Sequence, residues 1–243
     1  EPVSLRPFKV LPAGLKKKIK EKLEDNKKNF KGKNYLIRGC TPIEERFIGN
    51  AYLFHPKEKA KVLKSSIPAE DPKTLTAACY QKTRKLDDTA RMQYIDLKFW
   101  LIGDILQKAD KMSMAHSLET RVPYLDIEVK TARKLSFDNK IRKTQTKYAF
   151  REAAHSILPE QVATRKKLGF PVPTRVWLKE KKYYDKVRAA FESEASKKFF
   201  QTDYLIRLMD DHYNGLADNS RKIWAVYTFL VWYDVYFGEQ QSA

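Results

Sequence analysis

Sulfur, imidazole and glycine are scarce in this chain of 243 residues, which has two cysteines, four histidines and eight glycines. Cys40 and Cys79 cannot build a disulfide framework and lack the spacing of a metal site, so a reducing compartment is expected. His55, His116, His155 and His212 are scattered, with no Ser/His/Asp set around them, and none is assigned a catalytic role. Long apolar runs are missing as well. The longest candidate, residues 223–237, carries Asp234 and at fifteen residues falls short of the ~20 that a membrane helix needs. It reads instead as a buried helix, apolar nearly all round, capped by Asp218 or Asn219. With no signal peptide at the start, the expectation is a cytoplasmic protein without membrane contact.

Positive charge is in excess: 48 Lys and Arg face 30 Asp and Glu, a net +18. That balance invites a nucleic-acid partner. Part of the excess sits between Lys16 and Lys33, where nine lysines outnumber Glu21, Glu24 and Asp25. Leu15, Ile19 and Leu23 repeat there at every fourth position, the mark of a solvated helix with a narrow apolar seam. No zinc-finger spacing, Gly-x-x-Gly clamp or aromatic RNP-like strand accompanies it, so nucleic acid is not the favoured partner.

The remaining pattern is helix after helix. Apolar spacing predicts helices over 12–31, 42–54, 56–65, 73–85, 88–115, 126–136, 147–157, 172–195, 203–214 and 219–237. No alternating strand pattern stands out, and residues 65–72, with Pro68 and Pro72, read as a loop. A lobe over 1–87 and a helical core over 88–243 are expected.

The most informative run is Lys108-Ala109-Asp110-Lys111-Met112-Ser113-Met114-Ala115-His116-Ser117-Leu118-Glu119-Thr120-Arg121-Val122-Pro123-Tyr124-Leu125-Asp126. Upstream, Leu101, Ile102, Ile105, Leu106, Ala109 and Met112 fall on one helical face, with Asp104, Lys108 and Lys111 on the other. Pro123 then disfavours helix at Val122, and Asp126 can cap the next helix. A helix, an extended corner and a new helix would present Glu119 and Arg121 from fixed backbone.

This run resembles the signature of the glutamine-hydrolysing asparagine synthetase family. Further blocks resemble the family in the right order: Thr146-Lys147-Tyr148-Ala149-Phe150-Arg151, Leu158-Pro159-Glu160, Arg165-Lys166-Lys167-Leu168-Gly169-Phe170-Pro171-Val172-Pro173 with Trp177-Leu178, and Asp218-Asn219-Ser220-Arg221-Lys222-Ile223-Trp224. Before Asp96 the likeness is weaker, carried by Arg38-Gly39-Cys40-Thr41-Pro42 and Arg46-Phe47-Ile48-Gly49-Asn50. The resemblance implies a mainly α chain. It would be the helical C-terminal portion of an ATP-pyrophosphatase-type (adenine nucleotide α hydrolase-like) α/β synthetase domain, with the sheet-bearing part largely absent.

The family's pyrophosphate loop, Ser-Gly-Gly-x-Asp-Ser, and its second loop, Ser-Gly-Glu-Gly-x-Asp-Glu, occur nowhere in the sequence, and no cysteine opens it. Such loops cradle phosphate on backbone amides and hold magnesium. The expectation is a fragment that begins just after the second loop and is inactive alone. ATP and magnesium would serve the intact parent, neither bound tightly by this piece. A bare helical bundle should also expose apolar surface.

The resemblance places Lys147 and Lys167 near the ATP site; with the local reading of the residues, Lys167 and Glu119 are the candidate catalytic residues, and Lys147, Arg151, Arg165 and Arg121 the candidate ATP and substrate contacts. Preplaced cations would stabilise charge growing on phosphate, and a carboxylate beside the acceptor could take a proton from ammonia. Each has a plainer alternative. The lysines could simply end or solvate helices, Arg165 to Lys167 could close a short helix begun at Pro159, and Glu119 with Arg121 could be a structural ion pair at a buried corner. No metal ligands are assigned. The implied partners are the upstream synthetase and glutaminase segments, aspartate or another carboxylate such as a cell-wall peptide acid, and glutamine-derived ammonia. The parent could also form a homodimer. A basic helical nucleic-acid binder and a non-catalytic scaffold are the rival readings.

Overall fold

The computed structural model describes residues 5, 8, 10–26, 30–49, 53–54, 56–68, 70–143, 145–166, 169 and 172–238, with backbone alone at 56 and 57. The chain divides into two compact units, one of Glu1–Ala51 with Asp71–Lys167 and one of Tyr52–Glu70 with Leu168–Ala243. Neither unit ends at residue 87. Both are mainly helical, and among the described residues the sheet is limited to Ile141–Arg142 paired antiparallel with Gln145–Thr146.

In the first unit, helix Ala13–Asp25 packs on helix Lys33–Cys40. The predicted helix 12–31 stops early because Asn26 turns extended, and Gly32 at φ 97° starts the next helix from a left-handed conformation. Among the described residues, the predicted helix 42–54 is likewise only Ile43–Arg46. Phe47 leaves it extended, and its carbonyl accepts the Tyr80 hydroxyl at 2.5 Å. Ile43, Tyr80 and Ile95 form a small core here, with Phe47, Cys79 and Met92 against it. Arg91 lies over the Tyr80 ring at 5.0 Å and is bonded to Glu44.

Asp87 accepts the amides of Thr89 and Ala90, which starts a helical run near the predicted place. That run is Asp88–Ile95, a π-helical stretch Asp96–Leu106, then Gln107–Met114. The π stretch corrects the expected apolar face. Bonding from i to i+5 widens each turn, so residues spaced for an α-helix no longer stay on one side. Leu101, Ile105 and Leu106 are half-buried, whereas Ile102, Ala109 and Met112 are exposed, together with Leu97, Phe99 and Trp100.

The second unit holds the larger core, with Phe191, Leu205, Met209 and Ile223 almost fully buried and Val62, Leu178, Val187, Phe200, Val226 and Leu230 around them. Segment 52–70 belongs here because Leu63 bridges Phe200: the Lys64 amide donates to the Phe199 carbonyl at 3.0 Å, and that of Gln201 to Val62 at 2.8 Å. The predicted helix 172–195 is divided into Thr174–Trp177 and Lys181–Glu192. It ends at Ser193, which turns extended and caps helix Glu194–Phe199 by accepting the Ser196 amide at 3.2 Å. His212, fully buried, has Nδ1 3.3 Å from the Ala217 carbonyl and the Asn219 amide, and Nε2 3.0 Å from the Arg175 carbonyl, so the ring joins three backbone segments of this unit.

Helix Ser220–Phe237 buries Ile223, Val226 and Leu230 on one side only. Trp224, Val231, Trp232, Val235, Tyr236 and Phe237 are exposed, so the expectation of burial all round is corrected: the core of this unit is deep enough to cover a single face. Asn219 precedes the helix without a side-chain cap bond, and Asp218 accepts the Ser220 amide and hydroxyl instead. No helix among the described residues is long and apolar enough to cross a membrane.

Phe191→Ala is expected to destabilise the protein by about 3–5 kcal/mol, since it opens a cavity in a closed core; a loss of unfolding free energy in urea of only about a tenth of that would contradict the packing described. Tyr80 supplies a pH test. Burial pushes its hydroxyl from 10.0 up to about 12, so the folded state keeps a proton that the unfolded chain releases. Stability should therefore fall as pH rises from 10.0 towards about 12. Urea midpoints of wild type and Tyr80→Phe, compared through that window, should converge.

Candidate functional site

Helix Gln107–Met114 ends in a tight turn. Ser117 takes φ 55°, and the amides of Ser117 and Leu118 close on the carbonyls of Met114 and Ser113. Val122 lies outside the helical region at φ −123°, ψ 69°, as the steric demand of Pro123 favours, though short of fully extended, and Pro123–Leu125 makes one turn of 3-10 helix before helix Ile127–Lys134. The helix–corner–helix arrangement read from the sequence is present. Asp126 stands at the cap position of the second helix but makes no side-chain cap bond.

At the corner, Arg121 Nη2 donates to Glu119 Oε2 at 2.9 Å, so the acid and the base meet. They do so in solvent: their side chains are 78% and 70% exposed. A buried structural pair is thereby corrected, because residues 114–124 turn away from the small core of their unit and carry their charges outward. An exposed pair of this kind contributes about 0–1 kcal/mol, too little to hold the corner by itself.

Lys147 occupies the second block. It sits at φ 58°, ψ 38°, a left-handed conformation unusual for lysine, after hairpin Ile141–Thr146 and immediately before helix Tyr148–His155. The hairpin escaped the sequence reading because strands of two residues carry no period. Its Arg142 guanidinium lies 4.9 Å from the centre of the Tyr148 ring and is bonded to its hydroxyl. One turn on, Arg151 Nη1 donates to the carbonyls of Ala163 and Arg165 at 3.4 and 3.2 Å. The helix is thus tied to helix Glu160–Ala163 and to the start of the Arg165-Lys166-Lys167 block. The short helix expected around Pro159 is present, with Pro159 as its cap residue and Arg165 just past its end. Lys167 lies outside the described residues.

The two blocks meet through a contact the sequence reading did not name. The Tyr124 and Phe150 rings pack edge to face, centroids 5.9 Å apart. Corner, helix and cationic turn therefore belong to one connected patch carrying Glu119, Arg121, Lys147, Arg151 and Arg165. The patch is open. Two clefts of about 630 and 530 Å³ in the same unit are lined by other residues, the first by Lys16, Arg38, Cys40, Glu44 and Arg91 among others, the second by Phe137, Ile141, Arg142 and Tyr148. Around the patch, Met112, Leu118, Val122, Ile157, Leu158 and Val162 are also exposed.

A row of cations on rigid backbone suits phosphate or carboxylate oxygens. For a divalent cation the fit is poor: among the described residues no group of three or more His, Cys, Asp or Glu side chains is placed to hold one. Asp96, at the start of the π stretch, is the acid the sequence reading passed over. Its Oδ1 is buried without a hydrogen-bond partner among the described residues, and burial pushes the carboxyl above its usual range.

The structure defines a mainly helical chain whose motif blocks gather around one helix, and comparison with known proteins supplies the family. The sequence profile described as asparagine synthase matches residues 13–234, and the chain belongs to that family. It is 42% identical over 236 residues to asparagine synthetase [glutamine-hydrolyzing] 1 of Bacillus subtilis (strain 168), covering 97% of this chain and 37% of that protein. It is 40% identical over 237 residues to a putative asparagine synthetase [glutamine-hydrolyzing] of Mycobacterium tuberculosis (strain ATCC 25618 / H37Rv), covering 97% of this chain and 36% of the relative. The chain thus spans little more than a third of the length of these relatives. No solved structure matches.

The backbone at Lys147 yields a test that separates charge from conformation. Both Lys147→Gly and Lys147→Ala remove the cation, but only glycine relieves the left-handed strain. The glycine variant is expected to be more stable than the alanine variant by about 1 kcal/mol, measured by thermal or urea unfolding. The reverse order would show that residue 147 is not held left-handed.

Proposed function

We infer that this chain is the helical portion of a glutamine-dependent, ATP-using amide ligase that converts aspartate to asparagine. The observation that supports it most is a match over 97% of the chain to an asparagine synthetase, with the matching blocks drawn onto one patch by the Tyr124–Phe150 contact. In this reading a carboxylate oxygen of the acceptor attacks the α-phosphorus of ATP and pyrophosphate leaves. Ammonia then attacks the acyl carbon of the adenylate, and AMP leaves with its bonding electrons.

The chain's own residues bind and stabilise. Lys147, Arg151 and Arg165 face the phosphates. Arg151 has donors to spare, because only Nη1 is used on the carbonyls of Ala163 and Arg165. Lys167 meets the charge that develops on the departing group, and Arg121 holds Glu119, which accepts a proton from the attacking ammonia. Magnesium assists phosphoryl chemistry where it is bound, and its ligands would come from outside the described residues. The upstream synthetase and glutaminase segments of the intact protein would cover the exposed apolar side chains around the patch and deliver ammonia, in the cytoplasm. Alone, the chain would not turn over.

The test uses the intact protein with ATP, glutamine and aspartate, following asparagine, AMP and pyrophosphate. Lys167→Ala should abolish amide formation while glutamine hydrolysis continues. Glu119→Gln should lower the rate of synthesis about 10²–10⁴-fold without lowering the unfolding temperature. Full synthesis in the Lys167 variant would remove that residue from the mechanism. Amidation of a different carboxylate in place of aspartate would move the protein to a related amidotransferase, and tight, salt-sensitive RNA or DNA binding without amide formation would end the ligase reading.

A further inference from the structure

The rings that meet between residues 124 and 150 lie in no core. Tyr124 is 67% exposed and Phe150 55%, yet they pack at an interplanar angle of 78°. Two rings that touch each other while keeping much of their surface in water bury little. What such a contact supplies is geometry, since the quadrupoles of an edge-to-face pair favour one mutual orientation.

Each ring sits next to groups whose separation matters. Tyr124 follows Arg121 by three residues through Pro123, whose fixed φ and whose restriction of Val122 make the segment stiff. Phe150 follows Lys147 by three residues and directly precedes Arg151, which is bonded to the Arg165 turn. The Glu119–Arg121 pair is too exposed to fix the corner. No hydrogen bond or ion pair among the described residues runs from 119–126 to 147–155 in its place.

We propose that Tyr124 and Phe150 are positioning residues, an aromatic clasp that sets the Glu119–Arg121 corner at a fixed distance from the cation-bearing helix Tyr148–His155. They touch neither substrate nor reacting atoms. The inference rests on the amide-ligase reading and deepens it: catalysis between a carboxylate on one segment and cations on another tolerates little relative movement, and a misplacement of about 1 Å costs on the order of 10²-fold in rate.

The experiment is a double-mutant cycle in the intact protein, with Tyr124→Ala, Phe150→Ala and the pair. Each single variant should lower kcat for amide formation by about 10²-fold. The pair should be no worse than either alone, because both remove the same contact. Glutamine hydrolysis and the unfolding temperature should stay near wild type, and Tyr124→Phe, which keeps the ring, should retain activity. Hydrogen exchange at residues 118–126 and 147–152 should accelerate in both alanine variants. Unchanged synthesis in the alanine variants, or losses that multiply in the pair, overturns the positioning role. A parallel fall in glutamine hydrolysis and unfolding temperature also overturns it, as it marks general damage. If wild type amidates no carboxylate, the ligase reading falls and the positioning role with it, while faster exchange still shows that the clasp orders the two segments.

Discussion

One short helix, Tyr148–His155, carries the organisation of the candidate site. From adjacent positions it reaches two ways, Phe150 to the Tyr124 ring and Arg151 to the carbonyls beside the cationic turn. A helix can do this because consecutive side chains diverge around its axis, so neighbours in sequence serve different partners. Its first cation, Lys147, is set by a left-handed residue at the end of a hairpin. Strain of that kind persists only where the surroundings over-determine the backbone, here the hairpin on one side and, on the other, the hydrogen bond that the Arg151 amide donates to the Lys147 carbonyl at 2.9 Å.

The two units differ in how they use their apolar residues. The second closes Phe191, Leu205, Met209 and Ile223 into a continuous core. The first has a small core of Ile43, Tyr80 and Ile95 and leaves Leu97, Trp100, Met112, Tyr124, Phe150 and Ile157 exposed. Exposed apolar area on that scale marks a surface shaped for contact. The π stretch sharpens the effect, because its widened turns bring Leu97, Phe99 and Trp100 outward in succession.

Reading the sequence located most helices, and it failed where local pattern and tertiary contact disagree. Periodicity carried the lysine-rich helix through Asn26 to residue 31, although Gly32 needed a new start. It ran a helix past Phe47, whose carbonyl is claimed by Tyr80 from a different helix. It merged Thr174–Trp177 with Lys181–Glu192 and ran on to residue 195, although Ser193 ends one helix and caps the next. Of the site, the pairing of Glu119 with Arg121 was legible in the sequence, whereas the linkage of Arg151 to the Arg165 carbonyl and the exposure of the corner were not. Burial depends on what the rest of the chain covers, and no spacing rule reports that.

By itself the sequence determined the helical character of the chain, the break from helix at Val122-Pro123 and the family to which the chain belongs. These follow from local sterics and from the identity and order of residues. Only the tertiary structure decided which blocks meet. The Tyr124–Phe150 contact, the pairing of segment 52–70 with the C-terminal helices and the single buried face of helix Ser220–Phe237 each join residues distant in sequence. The physical reason is that packing is a property of surfaces brought together in space, and one-dimensional periodicity fixes the face a helix can offer without fixing what meets it.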